Sequence, residues 1–368
     1  YISMMLARTG IVRIAYKMCA KATTIAVRYS AVRLQGFKEK GLAEEHYVLD
    51  YQMQQYRLFK ALALSYCLLW SSRYIQTYIK RVAGAIQEGD ESAADELPQL
   101  HATLSGLKAT ATVRAHECIE ECRKCCGGQG FLMSSGIAKL APDFSEWVTV
   151  EGEQVILSLQ TARSLIKAVH AMAAGQALPQ SVAYLKEADA PIDPSNARGI
   201  LAGLQTRARC LATRFVARFD AEMARNGNDF DSALNACSTL AYRAAGAHVE
   251  QFMVENNVAA IPTYFSDEPG TKAVMERLVA LLGCQLLSEN SGDLAGARDG
   301  CGWTAATADA VESVRIPALL SAIRPDAVPL VDAFGFLDSQ LKSTLGREDG
   351  MVYEAIYEEA RRNPLNQE

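Results

Sequence analysis

A glutamate followed at once by a glycine, Glu151 and Gly152 in "VTVEGEQVILSLQTAR", stands after a β-branched stretch and before a helical pattern that starts near Glu151. Two effects compete for its proton: a helix N-terminus favours the charged carboxylate, whereas an apolar pocket favours the neutral acid. A carboxylate whose pKa rises when a bound apolar chain excludes water suits abstraction of a weakly acidic carbon-bound proton. The plainer reading makes Glu151 or Glu153 a cap on the helix that follows.

The stretch "ECRKCCGGQGF" packs three cysteines and three glycines into eleven positions. With Cys118 and His116 nearby, zinc has to be weighed. Ligands from one continuous helix surround a tetrahedral ion poorly, and no second Cys/His pair stands elsewhere at ligand spacing, so no metal is expected. A redox pair at Cys122 and Cys125 would normally open a helix after a strand, whereas this pair closes one. As small hydrophobes on a buried face, Cys118, Cys122 and Cys125 are accounted for together. The glycines do something else: Gly127, Gly128 and Gly130 bare the backbone amides, either as a helix stop or as a place where another chain or a flat polar ligand comes close.

Arg33 falls on an otherwise small, apolar helix face, and a charge there needs a partner. Carbonyls at the helix C-terminus, a neighbouring carboxylate, or a phosphate, which suits guanidinium geometry, would each serve.

These residues require helices to position them. Residues 2, 5, 9, 12, 16, 19, 23, 26, 30 and 33 repeat at alternating steps of three and four, which predicts one helix over 2–33. Leu49 to Gly84 carries no internal Gly or Pro, enough for a helix of about 50 Å at ~1.5 Å per residue. A third helix is predicted from near Pro98, with Leu104, Leu107, Ala111, Ala115, Cys118, Cys122 and Cys125 on one stripe and Gly127 and Gly128 as its stop. The fourth, from near Glu151, is expected to bury Val155, Leu159, Ala162, Ile166 and Val169. Residues 1–170 therefore read as one helical unit. The Ala, Gly, Pro and Asp content of 171–196 marks a linker, and 197–368 reads as a second helical unit closed by Asn363 and Pro364. The expected class is all-α.

At 368 residues and a formal net charge of −5, with basic residues dispersed among acidic ones, nucleic acid is excluded as the main partner. The longest apolar run, "ALALSYCLLW", is far short of the roughly 20 residues a membrane span needs. Ten cysteines lying mostly within apolar helical patterns point to buried, reduced thiols in a reducing intracellular compartment. Tyr1 reads as a start inside a longer product, and the closing "NPLNQE" carries no recognisable sorting tripeptide.

Six stretches, in order, resemble the C-terminal half of the peroxisomal acyl-CoA oxidases, members of the acyl-CoA dehydrogenase superfamily: "TIAVRYSAVRLQ", "LDYQMQQYRLF", "LPQLHATLSGLKA", "IEECRKCCGGQGF", "VEGEQVILSLQTAR" and "RPDAVPLVDAF" with "LGREDGMVYEAIYE". The resemblance implies an FAD enzyme that desaturates a fatty acyl-CoA to the trans-2-enoyl-CoA and passes the electrons to O2, giving H2O2, in peroxisomal β-oxidation. It implies that Glu151 takes the α-proton. It implies further that Arg33 and Gln35 approach the FAD pyrophosphate of the partner subunit in a homodimer, that Gly127 and Gly128 admit the dinucleotide, and that Gln52 and Gln154 lie near the cofactor. Gln129, Phe131 and Gln154 depart from the family's usual His, Tyr and Asn. A helical scaffold without catalysis, or a dehydrogenase handing electrons to a protein acceptor, are the other readings of the same fold.

Overall fold

In the computed structural model of this chain, residues 2–37, 44–187, 192–294 and 302–367 are described. The first half carries α1 (Ile2–Val32), α2 (Gln52–Gln87), α3 (Leu97–Cys125), α4 (Leu140–Thr149) and α5 (Gln154–Ala173). The second carries α6 (Ala197–Arg225), α7 (Phe230–Ala236), α8 (Ser238–Tyr264), α9 (Pro269–Glu289), α10 (Ser291–Leu294), α11 (Ala305–Ala310), α12 (Ile316–Ile323), α13 (Ala327–Asp332), α14 (Asp338–Leu341) and α15 (Val352–Arg362). Among the described residues, strand is confined to an antiparallel hairpin, β1 (Leu34–Phe37) with β2 (Glu45–Tyr47), set between α1 and α2. The all-α expectation holds with that one addition.

The spacing that predicts α1 also describes its packing: Met5, Thr9, Val12, Cys19, Thr23, Ala26 and Ser30 are buried. From Ala22 to Ser30 every residue is buried, because α2, α3 and α13 enclose this part of the helix. Small side chains permit such close approach, and the threonines satisfy their hydroxyls locally, Thr23 on the Cys19 carbonyl and Thr24 on that of Ala20, both at 2.8 Å. α3 opens with Pro98 in its first turn and buries the whole predicted stripe from Leu104 to Cys125. It ends at Cys125, and Gly127 follows at φ 59°, a left-handed conformation that glycine adopts without a Cβ penalty.

Other boundaries move. Leu49 lies in a 3₁₀ turn, Val48–Asp50, ahead of α2. α5 begins at Gln154 rather than near Glu151, with Glu153 as its N-cap: the Glu153 carboxylate accepts from the Val155 amide at 2.8 Å. The β-branched residues before Glu151 are the end of α4 and the extended Val150. Leu157 turns inward against Gly152, which leaves Val155 and Ile156 exposed. Ala162, Ile166 and Val169 are buried as expected, joined by Leu165 and Thr161.

Within the predicted linker, Gln180–Lys186 is a 3₁₀ helix that buries Val182, Tyr184 and Leu185; residues 188–191 and Cys301 lie outside the described residues. One buried cluster draws on α1, α2, α3 and α4 together with α9, α12, α13 and part of α6 and α8. A second joins α5, the 182–185 segment, α6, α7 and the first half of α8. The other nine cysteines are free thiols, eight of them buried. Among the described residues no helix is long and apolar enough to cross a membrane.

Candidate functional site

Glu151 stands in a tight turn between α4 and α5 and is exposed. Its φ is 57°, a left-handed conformation in which a residue with a Cβ is strained, and Gly152 beside it has φ 111°. A Cβ on Gly152 would lie 2.7 Å from Leu157 Cδ2, so glycine is needed there for space as well as conformation. Two cations from other helices grip the turn. Arg8 of α1 donates from Nε to the Glu151 carbonyl at 3.0 Å; Lys108 of α3 donates from Nζ to the carbonyls of Gly152 at 2.7 Å and Val148 at 3.0 Å. Lys108 is fully buried, and that burial, aided by the Arg8 charge, pushes its ammonium down to about 8. Arg8 also reaches Ser105 Oγ at 3.1 Å, and Ser105 donates to Gln160 Oε1 at 3.2 Å.

Gln154, one turn on, lines a cavity of about 270 Å3 together with Arg114, Arg207, Arg243, Glu250 and Asn290. Its Oε1 is buried without a hydrogen-bond partner. An acceptor left so calls for a donor from outside the chain or from water.

The remaining predicted residues gather elsewhere. Arg33 follows α1, and its guanidinium donates to the Tyr353 hydroxyl at 3.3 Å. Gln35 is exposed on β1, its carbonyl accepting from the Tyr51 hydroxyl at 2.8 Å; Gln52 is the exposed first residue of α2. Gly127 and Gly128 are exposed at the end of α3, and a Cβ on either would meet nothing within 4 Å. Gly130, by contrast, packs on its own helix end, where a Cβ would lie 2.2 Å from the Arg123 carbonyl. Gln54, which carries no sequence signal, ties this end together: its Nε2 donates to Ser30 Oγ at 3.0 Å and to the Cys125 carbonyl at 2.8 Å.

Arg33, Gln35, Gln52, Gly127 and Gly128 therefore share one end of the α1–α2–α3 bundle. Glu151 is held at Arg8, 25 residues back along α1 from Arg33, or about 37 Å at ~1.5 Å per residue. The structure brings together the five and leaves Glu151 and Gln154 apart from them. A cleft of about 720 Å3, lined by Trp70, Arg73, Tyr74, Tyr78, Asn256 and Tyr264 among others, includes none of these residues.

Cys118, Cys122 and Cys125 are buried where α3 meets α1, and the sulfurs of Cys19 and Cys118 are in contact at 2.7 Å. Burial raises the Cys118 thiol well above its ordinary range and pushes Cys125 up to about 12. Such thiols stay protonated and act as packing atoms. Among the described residues no three His, Cys, Asp or Glu side chains converge to hold a metal.

A family model for the acyl-CoA oxidase C-alpha1 domain matches residues 1–166, and one for acyl-CoA oxidase matches residues 196–368. The chain is 35% identical to peroxisomal acyl-coenzyme A oxidase 1 of Rattus norvegicus, over 100% of this chain and 56% of the rat protein. Among solved structures, acyl-CoA oxidase-2 of Caenorhabditis elegans, bound with FAD, ascaroside-CoA and ATP, superposes with a TM-score of 0.92 at 31% identity, over 100% of this chain and 54% of that one. Acyl-CoA oxidase 1 of Arabidopsis thaliana gives a TM-score of 0.89 at 30% identity, over 100% and 55%. The chain thus spans little more than half the length of the relatives it matches.

Proposed function

Since the chain belongs to the acyl-CoA oxidase family, we propose that it is the C-terminal helical part of an FAD-dependent acyl-CoA oxidase, with 1–170 and 197–368 as its two helical units and 171–196 as their connection. The substrate is a fatty acyl-CoA, the products are a trans-2-enoyl-CoA and H2O2, and the setting is peroxisomal β-oxidation, as the names of the relatives suggest.

In this reading Glu151 is the base: its carboxylate removes one proton from the carbon next to the thioester. FAD, when bound, supplies acceptance of the β-hydrogen with its electron pair and return of the electrons to O2. The strained turn that presents Glu151, clamped from two helices, is the observation that carries the assignment. A residue costly to hold in place, yet turned outward, is of use only if something meets it there. Full-length relatives have the further chain to form the opposite wall.

The open glycine turn at Gly127 and Gly128, with Arg33, Gln35 and Gln52 around it, fits the phosphates of a dinucleotide: bare backbone, a guanidinium, and polar side chains at the rim. The orphaned Gln154 Oε1 fits a donor from the cofactor or substrate on the Glu151 side. Because Glu151 is held about 37 Å back along α1 from Arg33, one dinucleotide does not reach from the glycine turn to the base within a chain, which favours a homodimer in which each chain lends its glycine turn to its partner's cofactor. Phe131, Leu132 and Met133 beside that turn, with Tyr353 and Tyr357 of α15, are exposed and suit such an interface.

The test uses the full-length protein. Glu151→Gln should retain bound flavin and bind acyl-CoA, yet lose flavin reduction by about 10²–10⁴-fold, because an amide does not take up the proton. Turnover at the wild-type rate would remove Glu151 from the mechanism. Flavin bleaching by acyl-CoA without peroxide on reoxidation would overturn the oxidase reading in favour of a dehydrogenase.

A further inference from the structure

Lys108 is among the largest side chains fully withdrawn from solvent, and among the described residues no carboxylate stands within ion-pair distance of its ammonium. A buried charge without a counter-ion is normally eliminated or neutralised. Here it is retained, and both of its hydrogen bonds end on the backbone that brackets Glu151: the Val148 carbonyl in the last turn of α4 and the Gly152 carbonyl just past the glutamate. The bonded atoms lie on either side of the left-handed residue. They fix the backbone on both sides of Glu151.

Arg8 alone does not do this. It holds the Glu151 carbonyl, and its guanidinium is shared with Ser105 and His101, whereas the bond to the Gly152 carbonyl comes from Lys108. Gly152, with φ 111°, is the joint about which the turn would otherwise swing. Glu151 and Glu153 nearby help Lys108 to keep its proton.

We propose that Lys108 is a positioning residue for the base: by donating to the carbonyls of Val148 and Gly152 it locks the turn in the left-handed conformation that presents the Glu151 carboxylate to the substrate. This rests on the assignment of Glu151 as base. The lysine is withdrawn from the surface. It acts through the geometry of the turn, where a displacement of about 1 Å costs on the order of 100-fold in rate.

The experiment takes the full-length protein and Lys108→Met, which keeps an unbranched chain of similar length and removes both donors, with Lys108→Gln, which keeps one donor on a shorter stem, as the second variant should the first fail to fold. Two readouts are taken. Amide hydrogen exchange of the segment 148–153, measured on flavin-free protein, should quicken about tenfold or more while α1 and α3 keep their protection. Flavin reduction on rapid mixing with acyl-CoA should slow about 100-fold, with affinity for a non-reducible acyl-CoA thioether within about threefold of wild type. Wild-type exchange in 148–153 would overturn the proposal whatever the rate does, since the turn would then hold without the lysine. Wild-type reduction with quickened exchange would overturn it too, because the fixed turn would not matter to the chemistry. Failure of the Glu151 assignment is seen separately, as normal turnover in Glu151→Gln, and leaves the exchange result standing.

Discussion

Tyr184 and His248 lie ring over ring, with 5.8 Å between centroids and 23° between planes, and the phenol oxygen shares a hydrogen bond of 3.1 Å with His248 Nδ1. Tyr184 comes from the segment between α5 and α6, whereas His248 comes from the middle of α8, so a stretch that looks like a tether is fastened into the second buried cluster.

The stack has a consequence for acid stability. Burial pushes His248 down to about 4, from about 6.5 for a free imidazole. Between those values the unfolded chain holds a proton that the folded chain refuses, so stability is intact above about 6.5 and is lost as pH falls towards 4, by about 3 kcal/mol in all. Urea unfolding at a series of pH values should show this decline. His248→Gln, which keeps an acceptor for Tyr184, should flatten it; an unchanged slope would mean that the imidazole is charged in the fold.

Glu250 of α8 joins Arg114 of α3 to Arg207 of α6, and Arg207 continues to Asp293 Oδ2 at 2.8 Å and Asn290 Oδ1 at 2.9 Å. Burial by itself would raise the Glu250 carboxyl, but the two guanidinium groups outweigh it and hold the acid below its ordinary range. Removing it leaves two cations facing each other in a mostly buried space. Glu250→Ala should cost about 3–5 kcal/mol in chemical denaturation. A loss below about 1 kcal/mol would show that water screens the group.

The sulfurs on α3 should behave as packing atoms. Replacing Cys118, Cys122 or Cys125 by Ala should lower stability by roughly 1 kcal/mol each through lost contact. No metal should be released on unfolding, and flavin content of the full-length protein should not change. Stoichiometric zinc in the purified protein would contradict this.

Much of the fold was legible because its longest helices are written in small and apolar residues at helical spacing. The faces of α1 and α3 could be read from position 5 to 30 and from 104 to 125, and the stop after Cys125 was announced by glycine. α5 starts three residues later than its sequence predicts, since Glu151 and Glu153 are both plausible caps and only the conformation of the turn distinguishes them. Val182, Tyr184 and Leu185 were hidden by their Ala- and Pro-rich surroundings. Glu151, Arg33 and the glycine turn stood out by residue type. Arg8, Lys108 and Gln54 did not, because their partners lie 143, 44 and 71 residues away and a lone charged or amide side chain says nothing of where it bonds.

Arg28, inside the most enclosed part of α1, ends on Asp332 Oδ1 and the Gly346 carbonyl, both at 2.8 Å, and Tyr66 of α2 donates to the Leu330 carbonyl at 2.7 Å. During synthesis on the ribosome the bonds of Arg28 therefore cannot close until some 300 later residues have emerged, and that of Tyr66 until 264 have. Closing loops of that length is slow, and an apolar helix held open meanwhile is prone to aggregate. Until Gly346 has been made, that stretch of α1 lacks part of the packing that encloses it.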